Sequence, residues 1–175
     1  MKALIVVDMQ NDFVTGNLGT PEARTIVRKI KDKIRKEYNQ STDKIVFTQD
    51  SHYRQDWINN EKMEMKNVPV HCIKGTPGWC IVDALFPFAD NVITKDNFGC
   101  FNWSSSFIDP NLLTSIEIVG VCTDICVISN ALILRAIFPE TQIIVDASCC
   151  AGTTPENHKA ALEVMKSCCI EVINE

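Results

Sequence analysis

Apolar residues in this chain gather in short unbroken runs that end on polar or glycine residues. Lys2 to Val7 is the first, and it breaks off at Asp8. A run of this kind, apolar without alternation, belongs to a strand covered on both faces. Lys44 to Thr48, Asn91 to Thr94, Ile116 to Val119 (closed by Gly120) and Gln142 to Val145 (closed by Asp146) repeat the pattern, and Cys169 to Ile173 supplies a sixth strand. Between the runs the period changes. Ile26, Ile30 and Ile34 recur every fourth residue with Lys and Arg between them, which predicts an amphipathic helix reaching Tyr38. Thr20-Pro21-Glu22 opens it with a capping threonine, a proline at the first helical position and an acid in the first turn. Thr154-Pro155-Glu156 opens another helix by the same device, with Ala161, Leu162 and Met165 among its apolar positions. A third helix is predicted from Val127 to Ile137, stopped before Pro139.

Strands that alternate with helices imply β-α-β crossovers, so the expected fold class is α/β, a three-layer α/β/α sandwich around a six-stranded, mainly parallel sheet. No linker, repeat or low-complexity tract interrupts the chain, so residues 1–175 are expected to form a single domain. Tyr53 to Asn67 reads as a long polar loop, and loops of that length inside a compact domain are usually functional or disordered.

Composition narrows the function classes. A formal net charge of −5 without a basic stripe gives no nucleic-acid footprint. The opening apolar run is too short for a signal-peptide core or a membrane span, so no membrane partner is expected. Nine cysteines at spacings such as Cys149-Cys150 and Cys168-Cys169 do not resemble a secreted disulfide framework, and no C-x-x-C occurs. Most are expected to be small apolar fillers in a reducing, cytoplasmic setting. Helix faces rich in Ile and Val leave a homo-oligomer open.

Chemistry enters at the strand ends. Asp8, Asp50, Lys95 and Gly120 all lie at or near the carboxyl ends of predicted strands, where open parallel sheets bind ligands. Topology can therefore gather Asp8, Lys95 and Cys126 on one rim. Thr123 and Asp124 are residue types that cap a helix, which puts Cys126 at a helix N-terminus where the dipole favours a thiolate. An acid, an amine and a thiol suit acyl transfer, with Asp8 as base, Lys95 as charge stabiliser, Cys126 as nucleophile and peptide N–H groups around the turn as oxyanion donors. Taken singly, Asp8 is equally well a turn cap, Lys95 a surface residue and Cys126 a core filler. Asp50-x-His52 puts two ligands on one face of an extended segment, and a distant His71 can close a divalent transition-metal site.

These residues resemble the cysteine hydrolases of the isochorismatase-like superfamily, and within it the nicotinamidases (pyrazinamidases). Five ordered pieces carry the resemblance: Val7 to Phe13, Thr48 to His52, Val70 to Gly78, Lys95, and Gly120 to Val127. The resemblance implies the isochorismatase-like hydrolase fold and hydrolysis of nicotinamide, or of related amides such as pyrazinamide, in NAD salvage. It implies Asp8, Lys95 and Cys126 as the catalytic triad. It also implies a cis Val121–Cys122 peptide, so that the N–H groups of Cys122 and Cys126 form the oxyanion hole. One divalent metal ion, zinc with iron or manganese as alternatives, is implied on Asp50, His52 and His71 to hold the pyridine nitrogen. Phe13 is implied to stack on the ring, and Phe98 is a second wall or a core residue. Where some relatives add another histidine to the metal, the stretch after His52 offers acids, and Glu64 is the expected ligand, with Glu61, Asp56 or water as alternatives. Cys122 stands where a small residue is usual. An amidohydrolase for another small amide and a non-catalytic thiol or metal sensor are the competing readings.

Overall fold

The structure is a computed structural model that describes residues 1–59, 66, 68–103 and 112–175. Six strands, β1 (Lys2–Val7), β2 (Lys44–Asp50), β3 (Val92–Lys95), β4 (Ser115–Val121), β5 (Gln142–Ala151) and β6 (Glu171–Ile173), form one sheet in the order β3-β2-β1-β4-β5-β6. Every pairing is parallel, as strands buried on both faces require. Helix α1 (Asn11–Val14) is a single turn after β1, and α2 (Pro21–Glu37) lies on one face of the sheet. Helix α3 (Arg54–Asn59) follows β2, and α4 (Ile128–Ile137) and α5 (Pro155–Ser167) cover the other face.

Successive side chains of β1 point to opposite faces of the sheet, which explains the three layers. Leu4 and Val6 pack with Ile26, Ile30 and Ile34 of α2, whereas Ile5 and Val7 pack with Ala131 and Leu134 of α4 and Leu162 and Met165 of α5. The helix starts form as their residue types predict: Thr20 Oγ1 accepts from the N–H of Ala23 at 3.0 Å, and Thr154 Oγ1 from that of Asn157 at 3.1 Å.

Three elements depart from the sequence pattern. Residues 54–59, expected as loop, form α3, because the Asp56 carboxylate reaches back to accept from the N–H of Tyr53 at 2.9 Å and secures the first turn. Strand β5 does not end at Asp146 but runs to Ala151 through a register shift opposite Ile118 to Gly120. At the shift Asp146 Oδ1 accepts from the N–H and hydroxyl of Ser148, at 3.0 and 2.8 Å, and bends the strand without terminating it. Lys33, on the helix face expected to be polar, is buried instead. Its ammonium stands 2.7 Å from Glu117 and 2.8 Å from Asp146, and Tyr38 donates to Glu117, so a charged cluster fastens α2 to the middle of β4 and β5.

Burial opposes both charges of this cluster, but the contacts outweigh it: they hold the Lys33 ammonium above its ordinary range and the Asp146 carboxyl below its own. A depressed carboxyl contributes stability above its unfolded value and loses it as pH falls through the folded one. Replacing Lys33 strands two buried acids, so Lys33→Met is expected to lower unfolding free energy at pH 7 by about 3–5 kcal/mol. Urea melts against pH should show the deficit shrinking as pH falls from 7, because acids stranded in a buried site take up protons above their ordinary range.

Candidate active site

The order of strands reverses between β1 and β4, the point where a crevice opens beyond the carboxyl ends of a doubly wound sheet. Asp8 leaves β1 with φ 49°, a left-handed conformation that turns its carboxylate back into this crevice. Gly120 makes the close approach possible. Its φ is +122°, and a Cβ there would meet the carbonyl oxygen of Val7 at 2.2 Å. The Val121–Cys122 peptide is cis, and a π-helical turn (Thr123–Val127) then carries Cys126 into α4.

Asp8, Lys95 and Cys126 meet there. Lys95 Nζ lies 2.7 Å from Asp8 Oδ2 and 3.7 Å from Cys126 Sγ, with all three side chains buried. The Thr48 hydroxyl donates to Asp8 Oδ1 at 2.7 Å, so both carboxylate oxygens are engaged. Lys95 also donates to the carbonyl of Asn97 at 3.0 Å and reaches Asp50 Oδ1 at 3.5 Å. Burial works against the Lys95 charge, yet Asp8, Cys126 and Asp50 outweigh it and hold the ammonium well above its ordinary value. Burial lifts the Asp8 carboxyl against the pull of Lys95, making it a stronger base than an exposed carboxylate.

The thiol departs from the sequence expectation. Burial pushes Cys126 well above the ordinary thiol range; Lys95 pulls it down, but Asp8 and Asp50 push it further up. It is therefore a thiol at rest, and its proton must be taken by a base. The caps expected at this helix are absent too: residue Cys122 caps the turn with no side-chain bond. Thr123 instead pairs with His158 Nδ1 at 2.8 Å, and Asp124 accepts from the N–H and hydroxyl of Thr153. The two polar side chains found partners in the first turns of α5 and just before it, which no local pattern specifies.

A second cluster adjoins the first. Asp50, His52 and His71 each present one ligand atom, all within 4.8 Å of one another and all buried. His71 Nδ1 lies 2.7 Å from the carbonyl of Pro69, which can only accept, so Nδ1 carries a proton and Nε2 is the atom turned toward Asp50. His71 Nε2 lies 3.2 Å from Asp50 Oδ2, and His52 Nε2 lies 2.8 Å from the same oxygen. One carboxylate with two imidazoles, gathered this closely and buried, is a transition-metal donor set. The residues present fit a divalent ion. Asp56, an alternative ligand by sequence, is not among them, because its carboxylate is spent on the start of α3. Glu64 and Glu61 lie outside the described residues.

A cavity of about 360 Å³ opens onto both clusters, lined by Phe13, His71, Phe98, Cys122, Ile125 and Cys126 among others. Phe13 is buried, with its ring 5.4 Å from His71. Phe98 is 42% exposed at the cavity edge, a wall and not a core residue. Val68 lines the same cavity.

Some residues of this site went unread. Trp57 sets its ring edge-on to both His52 and His71, at 5.2 and 5.3 Å, and its indole N–H donates to the carbonyl of Val68 at 3.3 Å. A tryptophan in a polar stretch was the available signal. Gln10, Asn11 and Asp12 are clamps. Gln10 exchanges two hydrogen bonds with the backbone of Asp50, at 2.7 and 2.8 Å, and donates to the carbonyl of Trp79. Asn11 donates to the carbonyl of Pro77, and Asp12 accepts from the N–H of Cys72 at 2.8 Å, beside His71.

The chain matches the Isochorismatase domain model over residues 2–175. It is 29% identical to the nicotinamidase/pyrazinamidase of Mycobacterium tuberculosis, covering 99% of this chain and 98% of that one. It is 30% identical to an Arabidopsis thaliana protein described as a probable inactive nicotinamidase, over 94% and 88% of the two chains. Among solved structures it resembles the pyrazinamidase of Pyrococcus horikoshii in complex with zinc, with a TM-score of 0.79, 29% identity and 99% of each chain covered.

A divalent ion among Asp50, His52 and His71 would lie beside the Trp57 indole. Titration with a paramagnetic ion such as cobalt is expected to quench part of the tryptophan emission. Trp57→Phe should remove that part, and Asp50→Ala should weaken the binding isotherm by at least about tenfold.

Proposed function

The chain belongs to the isochorismatase family, and from that premise we propose that it is a nicotinamidase, hydrolysing nicotinamide to nicotinate and ammonia through a thioester on Cys126. One observation carries this reading: the buried approach of Asp8, Lys95 and Cys126 at the edge of a cavity that also meets a cation site. In the free protein Cys126 holds its proton. With the amide seated, Asp8 accepts that proton and the Lys95 ammonium stabilises the thiolate. The sulfur attacks the amide carbon, and the developing oxyanion is held by the N–H groups of Cys122 and Cys126. Protonated Asp8 returns the proton to the departing ammonia. Its carboxylate then removes a proton from water, which cleaves the thioester and frees Cys126.

The ring is oriented by the second cluster. Asp50, His52 and His71 would hold a divalent ion, with zinc favoured by the zinc-bound relative over iron or manganese, and the ion would supply a Lewis-acid contact for the pyridine nitrogen. Phe13 packs against His71 and Phe98 stands at the cavity edge, so the flat heterocycle has apolar walls beside its polar anchor. The acids that sequence nominates for a further ligand, Glu64 or Glu61, would complete the coordination.

A relative described as inactive raises a second reading, a thiol or metal sensor on the same fold. The buried ion pair argues against it, because a sensor has no use for a base and an ammonium held against the same thiol. Ammonia release from nicotinamide by metal-loaded protein tests the proposal, alongside a panel of aliphatic amides. Turnover of nicotinamide is expected, abolished at least about a thousandfold by Cys126→Ala and by Asp8→Asn, and reduced at least about tenfold by chelation with recovery on adding the ion back. Preference for an aliphatic amide would move the substrate assignment to another amidohydrolase. No turnover of any amide by folded, metal-loaded protein would favour the sensor.

A further inference from the structure

Asn130 is an unusual residue for its place. It sits in α4, one turn after Cys126, fully buried, in a helix interior that asparagine does not favour. Its amide makes four hydrogen bonds. Nδ2 donates to the carbonyl of Cys126 at 2.8 Å and to that of Phe98 at 3.2 Å, while Oδ1 accepts from the N–H of Cys100 at 2.9 Å and the indole N–H of Trp103 at 3.3 Å. Two partners can only accept and two can only donate, so one orientation of the amide satisfies all four. The segment it binds, Phe98 to Trp103, starts three residues after Lys95, and Lys95 is itself tied to Asn97. Gly99 lets that segment lie directly on α4, since a Cβ there would meet Ile133 Cδ1 at 2.4 Å.

We propose that Asn130 is a positioning residue that fixes the Phe98 wall relative to the Cys126 thiol, and so sets how a ring amide is presented to the nucleophile. The inference rests on Cys126 being the nucleophile of the proposed reaction. The Phe98 side chain is partly exposed at the cavity, while its backbone carbonyl is held by the buried Asn130 amide. That backbone hangs on the same amide as the backbone of Cys126. A donor pair shared between the two carbonyls couples wall to sulfur through one rigid group, and displacements well below the size of a substrate matter for attack.

Asn130→Ala, Phe98→Ala and the double variant separate this role from simple packing. Three readouts are taken: nicotinamide kinetics, thermal midpoint, and alkylation of Cys126 by iodoacetamide followed by mass spectrometry, with exposed Cys80 as internal reference. Phe98→Ala is expected to raise KM more than it lowers kcat. Asn130→Ala is expected to raise KM by a similar factor, to lower kcat about 10–100-fold, and to shift the Cys126-to-Cys80 alkylation ratio. In the double variant KM should match that of the worse single variant, because both changes release the same wall. Asn130→Asp keeps the shape and both acceptor contacts but loses both donors, and it should reproduce the kcat loss if Asn130→Ala fails to fold. A folded Asn130 variant with wild-type kcat, KM and alkylation ratio overturns the inference, as do KM effects that multiply in the double variant. Should the wild-type protein leave nicotinamide intact, the proposed function falls while the alkylation ratio still decides the role of Asn130.

Discussion

A buried contact between Asp8 and Lys95, 2.7 Å apart, is the interaction on which the rest of the site depends. Two charges removed from water are costly unless each keeps several partners. Here Asp8 holds Thr48 as well as Lys95, and Lys95 holds Asn97 and approaches Asp50 and Cys126. The pair thus binds the ends of β1 and β3 across β2 and aligns the candidate nucleophile and the candidate cation site. Its ammonium also draws the Cys126 thiol toward ionisation, against burial and two carboxylates.

Around that pair, short polar side chains hold backbone in preference to substrate. The turn after β1 packs Gln10, Asn11 and Asp12 against three different segments, at Asp50, Pro77 and Cys72. Each clamp fixes a segment that bears or flanks a candidate ligand. Trp57 and the carbonyl of Pro69 do the same for the imidazoles, one by its ring edge and the other by fixing which nitrogen of His71 is protonated. On the far side Thr123 and Asp124 pin the Cys126 turn to the start of α5, and Asn130 pins it to the segment carrying Phe98. The density of polar residues near Asp8 therefore reflects construction of the site as much as its chemistry.

The same logic explains why polar side chains in the sheet were the hardest to place from sequence. Glu117 and Asp146 interrupt apolar runs, and a polar residue in such a run ordinarily marks its end. In the structure both are buried mid-strand because Lys33 arrives from α2 to neutralise them. Local sequence records the acid but not the partner, which lies 84 residues away in the case of Glu117.

What the sequence determined by itself were the features set by short-range periodicity and turn chemistry. The six strands, the threonine-proline helix starts, and the rim on which Asp8, Asp50 and Lys95 fall all follow from residues close together in the chain. The five ordered pieces of the family resemblance were legible for the same reason, since each is a short contiguous stretch. Tertiary structure alone decided what depends on partners distant in sequence: the high-lying thiol of Cys126, the extension of β5 past Asp146, the burial of Lys33, the place of Trp57 against two histidines and the four bonds of Asn130. Burial and pairing energies are properties of what surrounds a side chain, and a chain read in order does not contain its surroundings.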